Sequence, residues 1–306
     1  MNCAIGIDLG GTNIKGIAVT PAGKVLAEVT IPTGDKGTRD WIVNVRRVFN
    51  QLRDEVKSPP KWIALSAPGL PARNQRSIAF LPVRLRGIEG LEWRKFFKVA
   101  HPVPVFNDAQ AALLGELWQG AARRSRNVLL LTLGTGVGGA AVVDGNLLRG
   151  HLGRAGHFGH LSLDPDGPRD ITGTPGSLEN AIGDCTVSAR SGGRFASTSA
   201  LAAAVTRGDV KAQTIWLASI KALAAGIASL VNALDPEVVV IGGGISRAGP
   251  TLFRPLRQHL NQFEWRPGGA KVRVVAARLG DRAGAFGAAW NAMHFSAATS
   301  AGTKLK

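Results

Sequence analysis

Residues Ala4–Val19 run as strand, glycine turn, strand, and the same order returns at Asn127–Val143. In the first copy Ile5, Ile7 and Leu9 alternate as apolar, β-favouring positions. Gly10-Gly11 follows, where a backbone without Cβ atoms can take positive φ and come close to a bulky anion. Thr12 and Asn13 add a hydroxyl and an amide, and successive N–H groups in such a turn form an anion-binding nest. Asp8 ends the first strand, and a carboxylate placed beside phosphates calls for a divalent cation between them, Mg2+ held through water. A lone Gly-Gly turn is equally the mark of an ordinary β-hairpin. The second copy, with Gly134-Thr135-Gly136 at its turn, weighs against that reading. Each copy leads through a further turn into a third extended run, Val25–Ile31 after Pro21–Lys24 and Asn146–Arg149 after Asp144-Gly145. A repeated meander with a glycine turn in each half points to two similar lobes facing one nucleotide.

The rest of the chain fits a globular α/β protein. Its 306 residues, 45% of them hydrophobic, can build two lobes with a real core. The excess of 37 basic over 21 acidic residues, a net +16, suits an anionic substrate. The basic residues are scattered and no recognition helix or RNA-binding aromatic motif accompanies them, so nucleic acid is not expected as a partner. Cys3 and Cys185 are the only cysteines, which implies no disulfide framework and fits a reducing cytoplasm. The N-terminus lacks a basic leader, and the apolar run Ala222–Leu234 is shorter than the ~20 residues a bilayer requires, so no membrane role is expected.

Asp40–Lys57 carries Trp41, Val45, Val48, Phe49 and Leu52 at helical spacing. Trp62–Ala67 reads as a buried strand ending in the Pro68-Gly69 turn, and residues 73–98 read as polar, Arg-rich and irregular. At Pro104–Trp118 a strand ends at Phe106 and a helix follows. Asn107 or Asp108 suits its N-cap. A strand-end Asp108 also suits a general base that must reach a hydroxyl during phosphoryl transfer. Residues 180–235 are helical by pattern, Val238–Ser246 is a strand opening into Gly242-Gly243-Gly244, and Ala283–Trp290 is a small-residue helix.

Together these motifs resemble the ROK (repressor, open reading frame, kinase) family of sugar kinases over nearly the whole chain. The resemblance implies the actin-like ATPase (ribonuclease H-like) α/β fold: a smaller lobe at 1–118, a larger one at 119–282, helix 283–295 packing back near the first, a frayed tail at 296–306, and an active site in the interlobe cleft. It implies ATP and Mg2+, with Asp8, Gly10, Gly11, Thr12, Lys15, Gly134, Thr135 and Gly136 on the phosphate side and Gly242, Gly243 and Gly244 at the adenosine. Asp108 would be the catalytic base, and Gly69, Asn107, Asp108, His157, His160 and Glu179 would contact the sugar.

Three departures stand out. Where the family has a Pro-Asn-Leu segment facing the substrate, this chain has Pro82-Val83-Arg84-Leu85, which could bring an Arg to the pocket. Where the family places three zinc-binding cysteines beside a histidine, it has Asp170, Thr172 and Ser177 beside His160. That set is a poor tetrahedral zinc site, so no zinc is expected, with hydrogen bonds and Pro165, Pro168 and Pro175 stiffening the loop instead. Where most glucose-specific members have Glu, it has His157, a pattern resembling bacterial N-acetylmannosamine kinases. The expected activity is an ATP-dependent hexose kinase, glucose to glucose 6-phosphate, commonly a homodimer in this family. The alternatives are an N-acetylmannosamine or other amino-hexose kinase, a polyphosphate-using glucokinase, and a non-catalytic sugar sensor. Repressor relatives carry an N-terminal DNA-binding domain, and with a strand beginning near residue 3 a repressor is not expected.

Overall fold

The computed structural model describes residues 2–35, 37–56, 59–82 and 84–295. Internal contacts divide the chain into two units. The first holds the chain up to Arg124, Gly145–Ala155, and the stretch from Arg278 on; the second holds Ser125–Asp144 and Gly156–Ala277.

In the first unit, β1 (Ala4–Leu9), β2 (Asn13–Val19) and β3 (Val25–Pro32) form the antiparallel meander. Helix α1 (Asp40–Val56) follows; Lys57, which the spacing includes, lies outside the described residues. Then come β4 (Trp62–Ala67), the short pair β5 (Leu70–Pro71) and β6 (Ile78–Phe80), α2 (Trp93–Phe97), β7 (Val105–Asn107) and α3 (Asp108–Gln119). The sheet order is β3-β2-β1-β4-β7, with β4 and β7 parallel to β1. Strand alternation sends Ile5, Ile7 and Leu9 to one face, where they join Trp41, Val45, Val48, Phe49 and Leu52 of α1 in a buried cluster. Residues 73–98 are more ordered than their polarity suggests. They contain β6 and α2, because Ile78, Leu85, Ile88, Trp93 and Phe97 bury against the same cluster while the arginines between them face outward.

In the second unit, β8 (Val128–Leu133) and β9 (Val137–Val143) form the repeated hairpin; β10, which falls in the Gly145–Ala155 stretch of the first unit, is only Asn146–Leu147, shorter than the run read to Arg149. The helical stretch after it is broken at glycines into α4 (Leu178–Ile182), α5 (Val187–Arg190), α6 (Thr198–Thr206) and α7 (Val210–Leu234). Strand β11 (Val238–Gly242), α8 (Pro250–Phe263) and β12 (Arg273–Ala276) complete it. Strands β9, β8, β11 and β12 lie side by side in that order, with β11 and β12 parallel to β8, which repeats β2-β1-β4-β7. Helix α7 corrects the estimate made from Ala222–Leu234. Lys211, Gln213 and Lys221 interrupt the apolar run without breaking the helix, and its 25 residues are long and apolar enough to cross a bilayer by length and composition alone. Half of its most apolar window is buried, with Trp216, Ile220, Leu223 and Ile227 in the core of the unit.

Helix α9 (Ala283–His294) belongs to the first unit and covers the other face of β1. Small residues make this possible. A Cβ on Gly6 would collide with the Ala285 carbonyl, and one on Gly287 with the Ala111 carbonyl of α3, so strand and both helices meet backbone to backbone. The segment from 296 to 306, read as a tail, lies outside the described residues.

Candidate active site

The parallel strands of the first sheet end together, and their ends carry the polar residues. Asp8 on β1 is in register with Ser66 on β4, and Ser66 and Ala67 with Phe106 and Asn107 on β7. The buried Ser66 hydroxyl donates to Asp8 Oδ1 at 2.5 Å, and Gly284, at the start of α9, leaves room for the Asp8 carboxyl where any Cβ would strike it. Burial above all, joined by the carboxylates of Asp108 and Asp281 and opposed by Ser66 and Lys15, pushes the Asp8 carboxyl up to about 6. Lys15, placed on the phosphate side by resemblance, sits opposite Asp8 on β2 and pairs with Asp281 at 3.3 Å.

The glycine turns are built by close approach, with no left-handed backbone. None of Gly10, Gly11, Gly134 and Gly136 has a φ in the positive region, contrary to the sequence expectation. In both turns the first glycine N–H closes the turn itself, Gly10 to the Asn13 carbonyl at 3.1 Å and Gly134 to the Gly136 carbonyl at 2.9 Å. Side chains occupy the space the missing Cβ atoms leave: the Arg84 guanidinium over Gly11, and the Glu179 carboxylate over Gly136. Arg84, whose side chain is 52% exposed, therefore stands on the first glycine turn; Val83 beside it lies outside the described residues.

Asn107 caps α3. Its Oδ1 accepts from the Ala109 and Gln110 N–H groups at 3.0 and 3.4 Å, and its Nδ2 donates to the Gly69 carbonyl at 3.2 Å. The strand thus runs one residue past Phe106, and both ends of the Asn107 amide are engaged within the protein. Gly69 has φ +93°, a conformation that favours glycine. Asp108, the first residue of α3, is exposed, and its Oδ1 accepts from the Ala109 N–H at 2.8 Å.

In the second unit Glu179, on α4, accepts from the Val137 N–H through Oε2 at 2.8 Å. The Gly134–Gly136 turn is braced from below by the Asp184 and Cys185 N–H groups, which donate to the Gly134 and Thr135 carbonyls at 3.0 and 2.8 Å. Beside it opens a cavity of about 670 Å³, whose walls include Gly134, Thr135, Ser197, Thr198, Gly244 and Arg247. The Thr198 hydroxyl is buried there without a hydrogen-bond partner. Gly243, with φ +83°, is the member of the triple glycine that cannot change, because a Cβ would meet the Leu133 carbonyl; Gly244 borders open space. The sequence missed Ser197, Thr198 and Arg247, since a Ser-Thr pair before an alanine run reads only as a helix cap.

A model of the ROK family matches residues 4–294. The chain belongs to the ROK family. It is 33% identical to a glucokinase of Halalkalibacterium halodurans over 94% of this chain and 93% of that one. To an N-acetylmannosamine kinase of Escherichia fergusonii it is 30% identical, over 93% and 96%. Its fold superposes with TM-score 0.79 on a ROK family glucokinase from Streptomyces griseus solved with glucose and AMPPNP, at 26% identity and covering 96% and 100% of the chains.

The segment expected by resemblance to bind zinc is organised around a carboxylate here. Asp170, its side chain 0% exposed, sits at the centre. Its Oδ1 accepts from the Thr172 N–H at 2.8 Å, the Thr172 hydroxyl at 2.7 Å and the Thr174 N–H at 3.0 Å, and its Oδ2 faces His160 Nδ1 at 2.8 Å. Burial works against its charge, yet the hydrogen bonds from His160, Thr172 and Ser177 prevail and hold the carboxyl well below the usual range. These residues do not fit zinc: the hydroxyls that replace thiolates are turned to the carboxylate, and no group of three or more His, Cys, Asp and Glu able to hold a metal occurs among the described residues. The Pro168 and Pro175 carbonyls accept from Gly176 N–H and the Ser162 hydroxyl, tying the loop down. Phe158 and Gly159 lie directly on β9, where a Cβ on Gly139 or Gly159 would collide, and this fixes the half-buried His157 and His160 on either side of them.

Proposed function

We propose that the protein is an ATP-dependent hexose kinase that phosphorylates a sugar hydroxyl, with glucose at C6 as the first candidate. The observation that carries this reading is the gathering of Asp8, Ser66, Asn107 and Asp108 where β1, β4 and β7 end, the edge at which parallel α/β sheets hold ligands. Asp108 takes the proton of the sugar hydroxyl as its oxygen bonds to the γ-phosphorus and the bond to the β-phosphate oxygen breaks, releasing ADP. An exposed carboxylate on the first turn of a helix can reach a substrate. Asn107, already holding α3 and the Gly69 turn, fixes where Asp108 stands. Asp8 would hold Mg2+, which when bound neutralises phosphate charge; a single carboxylate supplemented by phosphate oxygens and water is the usual Mg2+ environment.

Thr198 and Gly244 support the placement of the nucleotide in the cavity of the second unit, where the buried hydroxyl lacks a partner from the protein. His160 and Glu179 serve as sugar-hydroxyl partners, and Glu179 keeps Oε1 for that purpose while Oε2 holds the Val137 N–H. The family resemblance supports a cytoplasmic homodimer, which light scattering on the purified protein checks for assembly. A second reading, N-acetylmannosamine as acceptor, is favoured by His157 and by the E. fergusonii relative.

The test is ADP release with Mg-ATP over glucose, glucosamine, N-acetylglucosamine, N-acetylmannosamine, mannose, fructose and allose, repeated with polyphosphate at equal phosphoryl concentration. Asp108→Asn should lower kcat by about a thousandfold or more while sugar binding persists, the scale expected when a general base is lost. An Asp108→Asn protein that turns over normally removes the assignment.

A further inference from the structure

The Asp170 carboxylate, at the place of a cysteine in the family resemblance, does more than occupy space. An ionised carboxylate only accepts hydrogen bonds, and three donors already surround Asp170 Oδ1. The remaining oxygen, Oδ2, meets His160 Nδ1 at 2.8 Å in an enclosed contact, so the neutral imidazole must carry its proton on Nδ1. That leaves Nε2 as a bare lone pair on the side of a ring that is 27% exposed. A metal-bound histidine behaves in the opposite way: the metal takes one ring nitrogen in place of a proton, and the other ring nitrogen is left as an N–H donor.

We infer that Asp170 is a positioning residue that holds the His160 proton on Nδ1, the reverse of a metal-bound histidine's polarity, so that Nε2 accepts from the sugar hydroxyl proposed to meet it. The loop is built to enforce this. Thr172 gives Asp170 both its N–H and its hydroxyl, Thr174 gives an N–H, and the buried Ser177 hydroxyl adds a further hydrogen bond, so the carboxylate has no freedom to rotate away. Phe158 and Gly159, pressed on β9, hold the backbone that carries His160. The sugar-binding half of the inference rests on the hexose-kinase reading; the tautomer half stands without it.

Asp170→Asn separates the possibilities at nearly constant volume. The three donors at Oδ1 will keep the amide oxygen, which turns the amide NH2 toward Nδ1 and requires that nitrogen to accept. The proton then moves to Nε2. Nitrogen-15 NMR of the histidine side chains at a pH where imidazole is neutral, with His160→Gln used to assign the resonance, should report the Nδ1–H tautomer in the wild type and Nε2–H in Asp170→Asn. Sugar KM should rise about tenfold in the variant with kcat and the KM for ATP within about twofold, the size of one misdirected hydrogen bond. An Nε2–H tautomer in the wild type overturns the inference even if the variant does not fold. So does a folded variant that keeps the wild-type tautomer, or one whose tautomer reverses without any change in sugar KM. If the wild type turns over no sugar at all, the kinase reading fails while the NMR result still decides the Asp170–His160 pair.

Discussion

Asp8 in the first unit and Asp170 in the second are both enclosed carboxyls beside proposed substrate contacts, and their protons behave in opposite ways. Asp8 receives one short hydrogen bond, from Ser66, and feels two other carboxylates; burial wins and its carboxyl rises to about 6. Asp170 is also opposed by burial, but five groups from four residues hydrogen-bond to it and its carboxyl falls well below the ordinary range. The difference is the number of donors, and it separates a carboxylate whose partner must come from outside from one the protein has fully satisfied. In the proposed reading the first awaits Mg2+, whereas the second needs no cation.

Changing each acid in turn should break this contrast. Asp8→Asn is expected to lower kcat by about a hundredfold or more, since the proposed Mg2+ ligand is lost, and yet to stabilise the free protein at pH 7 by about 1–3 kcal/mol, at ~1.36 kcal/mol per pKa unit. The sign follows from the shift. Asp8 has a folded value above its ordinary 3.8, so its contribution to stability is full below that value and is lost as pH rises through about 6. Urea titrations of both proteins at pH 4 and pH 7.5 check it: the variant's advantage should appear only at the higher pH.

Asp170→Ala should act in the reverse sense, destabilising by about 2–4 kcal/mol at pH 7, because it strands Thr172, Thr174 and His160 without their acceptor. Asp170 has a depressed value, so its contribution is present above 3.8 and is lost as pH falls below that. The wild type and Asp170→Ala should therefore converge in acid, measured by the same denaturation series.

Metal removal sharpens the comparison further. EDTA should stop turnover and excess Mg2+ restore it, whereas a zinc-selective chelator should leave both rate and melting temperature unchanged. The smallest effect is expected at the second glycine turn. Gly134→Ala meets open space and should shift stability by under about 0.5 kcal/mol, while Gly136→Ala pushes the Glu179 carboxylate aside and should raise sugar KM several-fold, about 1 kcal/mol of binding.

Much of the architecture was legible in the sequence because strand alternation and glycine placement are local signals. Ile5, Ile7 and Leu9 announced a buried face, and the second hairpin announced a second sheet. The glycine turns were read correctly as turns but for the wrong reason: their backbone is not left-handed, and the space beside Gly11 and Gly136 is taken by the ends of two distant side chains, Arg84 and Glu179, which no local pattern reveals. The cavity was harder still, since Gly134, Thr198 and Gly244 come from three separate parts of the chain. Polarity misled in residues 73–98, where α2 buries Trp93 and Phe97 among arginines that face outward. Interrupting lysines misled in α7, where a helix tolerates a charged residue that an apolar count does not.

The docking of α9 on β1 has a consequence for how the chain is made. Strand β1 leaves the ribosome before every other described element, and the helix whose backbone rests on Gly6 leaves after every other. One face of the first strand therefore waits, uncovered, through nearly all of synthesis. The second unit lies almost wholly between these two segments and can settle while the first is still open. Closure of the first unit is then a late, long-range event, limited by loop entropy and by the wait for Gly287 to reach the Ala111 carbonyl. During that interval the uncovered face of the sheet is open to chaperones and to aggregation.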